Sequence, residues 1–232
     1  MSKEGETKSS SILLAIVFAL TAFAINKLAF KPPVLPDAPE GFSYIDGRLF
    51  SNEMQFSKSK QLFLGGGTRE FNGATVYATG VYLDESTVNS LKKKYKSDDV
   101  AVLSKDSAFF RDISESKEKT LILKVHRTVH TLKVSSMIST DIKKKADEKD
   151  IKEFANKING LVSKDRVFKD FEFYINCKGD SVKITKSLEE LAETESFTGK
   201  GFCNALFQSY LGQNSIAKPV IGGVAKAFIE LN

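Results

Sequence analysis

Apolar positions along residues 61–84, QLFLGGGTREFNGATVYATGVYLD, form two runs rich in β-branched and aromatic residues, separated by three glycines and a single arginine. That composition predicts strands rather than helices. A bend is expected at Gly65, Gly66 and Gly67, because glycine tolerates positive φ and lets other atoms approach the backbone. Period-two alternation then puts Tyr77 and Thr79 on one face of the second strand. Upstream, residues 42–56 alternate in short stretches broken by Asp46-Gly47 and Ser51-Asn52, as in a hairpin or irregular strand pair. Downstream, 86–92 reads as a helix capped by Ser86 or Thr87, and 98–104 as a second short helix. Residues 108–113 are a compact apolar and charged patch.

A strand at 120–126 is followed by a helix over 131–146. The helical pattern continues through 150–161, where Ile151, Phe154, Ala155 and Ile158 recur at i, i+3, i+4 and i+7. Gly179-Asp180 separates two strand-like runs, 171–178 and 181–187, as a hairpin turn. Two final helices are expected over 201–211 and 217–231, the first ended by Gly212 and the second begun at Pro219. No repeat of 20–50 residues occurs, which excludes a solenoid. Strands first, helices in the middle and at the end, and a hairpin between them predict an α+β fold, an antiparallel sheet with helices on one face.

The N-terminal pattern differs. Residues 12–30, ILLAIVFALTAFAINKLAF, carry no charge before Lys27 and approach the roughly 20 residues of a spanning helix. Two readings stand for residues 1–31: an uncleaved membrane anchor from Ile12 to Phe30, or a secretory signal cut after Ala22-Phe23-Ala24. The anchor is the favoured one. Residues 32–40 hold four of the five prolines and form an extended linker. The folded domain is expected over 41–232.

Composition narrows the chemistry. The chain has 232 residues, 41% of them hydrophobic, enough for a buried core. Its net charge of +5 comes from lysines interspersed with acids, without a nucleic-acid-binding motif, so no nucleic acid partner is expected. Neither a P-loop nor a dinucleotide fingerprint is present, since Thr68-Arg69-Glu70-Phe71 leads into another strand. Cys177 and Cys203 lie far apart without metal-ligand spacing and read as buried free thiols, with a disulfide the other option. No cofactor or metal is expected. Arg69 is the candidate binding residue: its planar fork of donors matches a carboxylate, and Tyr77 on the next strand is placed to share it. The other outcome is an Arg69 on the surface and a Tyr77 in the core.

Five short pieces, in order, resemble the chalcone isomerase fold family: Leu64-Gly65-Gly66-Gly67-Thr68-Arg69, Gly80-Val81-Tyr82-Leu83, the helix end at 90–95, Phe109-Phe110-Arg111-Asp112-Ile113, and residues 206–212. The resemblance implies an open-faced antiparallel sheet against a helical layer, with a ligand cleft between them. In the flavonoid enzymes of that family an arginine polarises the substrate ketone while an internal phenoxide closes a ring. Arg69 corresponds to it, and Ser209 to the hydroxyl residue near the C-terminal end of the cleft. Tyr77 stands where those enzymes carry threonine, a pattern similar to the fatty-acid-binding branch, in which arginine and tyrosine hold a carboxylate.

The tyrosine and asparagine of the enzymes' water network are missing from 130–137, HTLKVSSM. The resemblance therefore implies a binder of a fatty acid or similar apolar carboxylate through Arg69, Tyr77, Thr79 and Ser209. The alternative is an intramolecular lyase closing a ring on an enone, with Arg69, Tyr77 and Ser209 as catalytic groups. Some membrane-anchored fungal members are haem binders, for which His126 and His130, four residues apart, are the candidate ligands.

Overall fold

The computed structural model describes residues 37–56, 58–143, 145–162, 166–188 and 193–231. The N-terminal apolar segment and most of the proline-rich linker lie outside the described residues. The chain divides into two units, 1–37 and 38–232, and the second holds every strand and helix described.

The element order is β1 (Phe42–Ile45), β2 (Arg48–Ser51), β3 (Glu53–Phe56), β4 (Ser59–Phe71), β5 (Ala74–Asp84), α1 (Glu85–Lys94), α2 (Val100–Leu103), α3 (Ser107–Glu115), β6 (Glu118–Val125), β7 (Val129–His130), α4 (Thr131–Ile142), α5 (Glu148–Leu161), β8 (Arg166–Val167), β9 (Glu172–Lys178), β10 (Ser181–Thr185), β11 (Thr194–Thr198), α6 (Phe202–Leu211) and α7 (Lys218–Glu230). A seven-stranded antiparallel sheet runs β11-β10-β9-β6-β5-β4-β3. It curls: Lys183 of β10 lies 5.7 Å from the ring centroid of Phe56 on the opposite edge strand β3.

The α+β expectation holds, and two of its details change. Gly65 does take a positive φ of 100°, and the β4–β5 register is irregular between Phe63 and Gly66, but the chain does not reverse at the triple glycine. Strand β4 passes through all three, and the chain reverses at Asn72-Gly73, where φ is 51° and 71° and Phe71 pairs with Ala74. Asn-Gly is a favoured two-residue hairpin turn because both positions accept positive φ. The glycines instead thin the sheet. A Cβ on Gly67 would stand 2.4 Å from the backbone nitrogen of Val220, and one on Gly65 would stand 2.4 Å from the carbonyl oxygen of Gly223, both in α7. On the other face, a Cβ on Gly66 would meet Ile45, and one on Gly80 would meet the Phe50 ring at 2.6 Å.

The second change follows from the first. The sheet is not open on its outer face, because β1 and β2 pack there, and Phe50, Met54, Phe63, Ala78, Tyr82 and Ile122 form a second cluster with Ile45 against it. Tyr82 donates from its hydroxyl to the Ser51 carbonyl at 2.8 Å and ties that hairpin down.

The helical face carries the larger core. Phe109 of α3 packs against Phe228 of α7 in a tilted pair with ring centroids 4.8 Å apart, and Phe154 of α5 against Phe202 of α6 at 5.2 Å. Aspartates rather than Ser86 or Thr87 cap the helices: Asp84, Asp99, Asp106 and Asp147 accept from first-turn amides of α1, α2, α3 and α5. Helix α4 ends at Ile142 rather than running to 146. The apolar and charged patch at 108–113 is α3 itself, with Asp112 holding Lys94 and the Tyr95 hydroxyl. Strand β11, which the sequence pattern did not predict, pairs with β10 from Thr185↔Thr194 to Ser181↔Thr198.

The two cysteines are joined, which overturns the free-thiol reading. Cys177 on β9 and Cys203 on α6 form a disulfide between sheet and helical layer. The period-two pattern turned Cys177 toward the helices, and α6 crosses it at its first turn.

Candidate functional site

Arg69 and Tyr77 are direct partners in the β4–β5 register, as Gly67 and Thr79 are. Alternation places all four on the face beneath the helices. The arrangement expected from the strand pattern, Arg69 beside Tyr77 with Thr79 on the same face, is therefore present. What lies above it was not foreseen.

The connector between α6 and α7, residues 212–217, covers Arg69. One terminal nitrogen of its guanidinium donates to the Ile216 carbonyl at 2.8 Å and to the Glu70 carbonyl at 2.9 Å. Ile216 is pinned from the other side too, its amide donating to the Ser209 carbonyl at 3.1 Å. Ser215 turns its hydroxyl onto the Tyr210 carbonyl at 2.5 Å and accepts from the Ala217 amide at 3.1 Å. Arg69 is half-buried, neither wholly on the surface nor in the core.

Tyr77 is fully buried, and its hydroxyl meets that of Tyr210 on α6 at 2.9 Å. Tyr210 is the residue that sequence reasoning missed. The sequence shows only that Ser209 and Tyr210 are adjacent in α6, and the helix rotation decides which one meets Tyr77. Ser209 itself is buried, with its hydroxyl on the Ala205 carbonyl one turn back at 2.9 Å. Thr79 is fully buried, and its hydroxyl has no hydrogen-bond partner among the described residues. Buried hydroxyls are nearly always paired, so this one calls for an explanation.

His126 and His130 are not set on one helical face. His126 follows β6, with its amide on the Val76 carbonyl at 2.9 Å and its ring 3.7 Å from the Asp46 carboxylate. His130 is exposed and precedes α4 across the turn. Burial, and then the Arg48 charge, lower the pKa of His126. Among the described residues no group of three His, Cys, Asp or Glu side chains is placed to hold a metal ion, and no helix is long and apolar enough to cross a membrane.

The concavities of the described surface include two away from the Arg69 and Tyr77 pair. One, about 700 Å³, lies between α3, α6 and α7, and the other, about 570 Å³, lies at the end of the sheet around Phe56 and Asn176. Neither is lined by Arg69 or Tyr77.

A curled seven-stranded antiparallel sheet with helices packed on its inner face is the fold of a chalcone isomerase-like domain. The chalcone-flavanone isomerase family model matches residues 45–231, and the chain belongs to that family. A solved structure similar to it is the Arabidopsis thaliana fatty-acid binding protein AtFAP1, at 16% identity and a TM-score of 0.61, covering 80% of this chain and 96% of that one. At that identity the likeness is one of fold. No curated protein sequence matches the chain.

Proposed function

We propose that the domain binds a fatty acid or similar apolar carboxylate beneath the α6–α7 connector, with Arg69, Tyr77 and Thr79 around the carboxylate and the apolar undersides of α6 and α7 around the tail. The observation that carries the reading is the buried Thr79 hydroxyl, without a hydrogen-bond partner among the described residues, two residues along the strand from Tyr77 and two register pairs from Arg69. A carboxylate entering here replaces the Ile216 carbonyl on the guanidinium, exchanging a neutral acceptor for a charged one. Such charge-assisted bonds contribute about 1.5–3 kcal/mol each. It also gives Thr79 an acceptor. Entry requires residues 212–217 to lift from Arg69, a displacement opposed by the two Ser215 bonds and the Ile216 amide bond. The likeness to AtFAP1 supports the ligand class.

Mass spectrometry of lipids extracted from the purified full chain tests this. Bound fatty acid is expected, with affinity about 10-fold or more weaker in Arg69→Ala, the equivalent of one charge-assisted bond. Protein free of fatty acid, together with unchanged affinity in Arg69→Ala, removes the case.

The enone-cyclising alternative has less behind it. Residues 130–137 lack the tyrosine and asparagine of the water network, and the Ser209 hydroxyl donates to its own helix. Chalcone is expected to lose its visible absorbance at the buffer rate, and acceleration at saturating protein would reinstate the enzyme.

For residues 12–30 the proposal is a single membrane anchor, and the Cys177–Cys203 disulfide argues for an oxidising compartment. Resistance of the chain to alkaline carbonate extraction is expected. Release into the soluble fraction, or a mature N-terminus just after residue 24, counts for the cleaved signal.

A further inference from the structure

The concavity between α3, α6 and α7 has a lining of one charge sign. Lys105, Arg111 and Lys145 border it, and among the described residues no aspartate or glutamate does. Its apolar part is Phe110, Leu211 and Ile221, of which the first two are buried. Ser104, Ser107, Gln208, Gln213 and Asn214 add uncharged donors and acceptors around the rim. The carboxylates adjacent in sequence are committed elsewhere: Asp106 accepts from the Ala108 and Phe109 amides, and Asp112 from Lys94 and Tyr95.

The cations are differently engaged. Lys145 donates to the Gln208 carbonyl at 2.7 Å, near the negative end of α6, which accounts for one of its three N–H groups. Lys105 and Arg111 make no side-chain hydrogen bond or ion pair among the described residues. Like charges gathered around one cavity repel one another unless an anion joins them. The volume of about 700 Å³ falls within the ordinary range for small-molecule sites. A cationic rim over an apolar floor selects a ligand with an acidic head and a short apolar body.

We propose that this cavity is a second ligand site, separate from Arg69, for a small amphipathic organic anion: a carboxylate or phosphate monoester whose head meets Lys105, Arg111 and Lys145 and whose apolar part rests on Phe110, Leu211 and Ile221. Helix α6 stands between the two sites, with Gln208 and Leu211 turned to the cavity and Tyr210 turned to Tyr77. The connector 212–217 contributes Gly212, Gln213 and Asn214 to the cavity and Ile216 to Arg69. An occupant of the cavity therefore touches the segment that closes the other site.

Isothermal titration of the full chain with octyl phosphate below its micellar concentration tests the site, with inorganic phosphate and octanol as head-only and tail-only probes. Octyl phosphate is expected to bind at least about 10-fold more tightly than either probe, since head and floor both contribute. The combined Lys105→Gln, Arg111→Gln and Lys145→Gln variant, its melting temperature checked against wild type, is expected to bind about 30-fold more weakly. Arg69→Ala is expected to retain the octyl phosphate binding that the triple variant loses. Equal binding by wild type and the triple variant overturns the proposal. Loss of binding in Arg69→Ala with retention in the triple variant places the anion at Arg69, which overturns this site and leaves the fatty-acid reading standing.

Discussion

Gly222 and Gly223 are neighbours in α7, and the structure assigns their alanine variants opposite signs. Intrinsic propensity treats them alike: replacing glycine by alanine inside a helix gains about 1 kcal/mol. A Cβ on Gly222 meets nothing within 4 Å, so that gain should appear undiminished. A Cβ on Gly223 would stand 1.8 Å from the Gly66 carbonyl oxygen and 2.9 Å from its carbon. Bringing the oxygen contact to an ordinary 3.4 Å from 1.8 Å requires a movement of about 1.6 Å. Both obstructing atoms are backbone in β4, so no side chain can swing aside. Overpacking of this kind costs about 1–3 kcal/mol, and a backbone obstacle places it at the upper end. Subtracting the propensity gain of about 1 leaves Gly223→Ala destabilised by about 2 kcal/mol, a separation of about 3 kcal/mol between adjacent positions.

In a domain of this size 1 kcal/mol shifts the melting temperature by about 2–4 °C. Circular dichroism melts of the full chain should therefore show Gly222→Ala about 2–4 °C above wild type and Gly223→Ala about 4–8 °C below it. Equal upward shifts in both would mean that α7 does not lie against the triple glycine of β4. The connector over Arg69, and with it the site beneath, would then lose its placement.

Three further outcomes are expected from other parts of the core. Replacing both Cys177 and Cys203 by serine opens a loop of 26 residues, and the chain-entropy estimate gives a loss of about 3.5 kcal/mol; a melting temperature unchanged from the oxidised wild type would rule the link out as a stabiliser. Lys119 is fully buried, its ammonium on the Ser116 carbonyl at 2.8 Å and the Asn204 side chain at 3.1 Å, and burial lowers its pKa from 10.5 to about 8. The unfolded chain binds more protons than the folded one between those values, so stability should rise from pH 8 toward pH 10 in wild type relative to Lys119→Met. Parallel pH profiles would contradict it. Gln61 is fully buried with neither side-chain polar atom hydrogen-bonded among the described residues, so Gln61→Met should raise stability by about 1–3 kcal/mol in urea titration, and a loss would show that the amide has a partner.

Much of the fold was legible because local pattern and tertiary placement agree there. The runs around Ile122, Ile175 and Ile184 read as strands, and α5 and α7 carry their apolar stripe at helical spacing. The bend expected at the triple glycine is present only as the positive φ of Gly65, while the reversal into β5 is made by Asn72-Gly73. A glycine run states only that something needs the missing Cβ. It does not say whether that is a turn or a helix pressed against the strand. Strand β11 escaped notice because Thr194 to Thr198 are mostly polar or partly exposed and edge the sheet, where one-sided burial leaves a weak signal.

Composition and periodicity by themselves determined the α+β class and the shared face of Tyr77 and Thr79, because strand alternation is a property of the backbone alone, whereas the pairing of Arg69 with Tyr77 depends on the register set at Asn72-Gly73. The tertiary structure decided the rest. It alone brought Tyr210 to Tyr77, Ile216 to Arg69, Cys203 to Cys177, and Lys145 to the cavity that Lys105 and Arg111 also border. Each of those meetings depends on how a helix is rotated and where it crosses the sheet, which is fixed by close packing between segments far apart in the chain rather than by the period of any one of them.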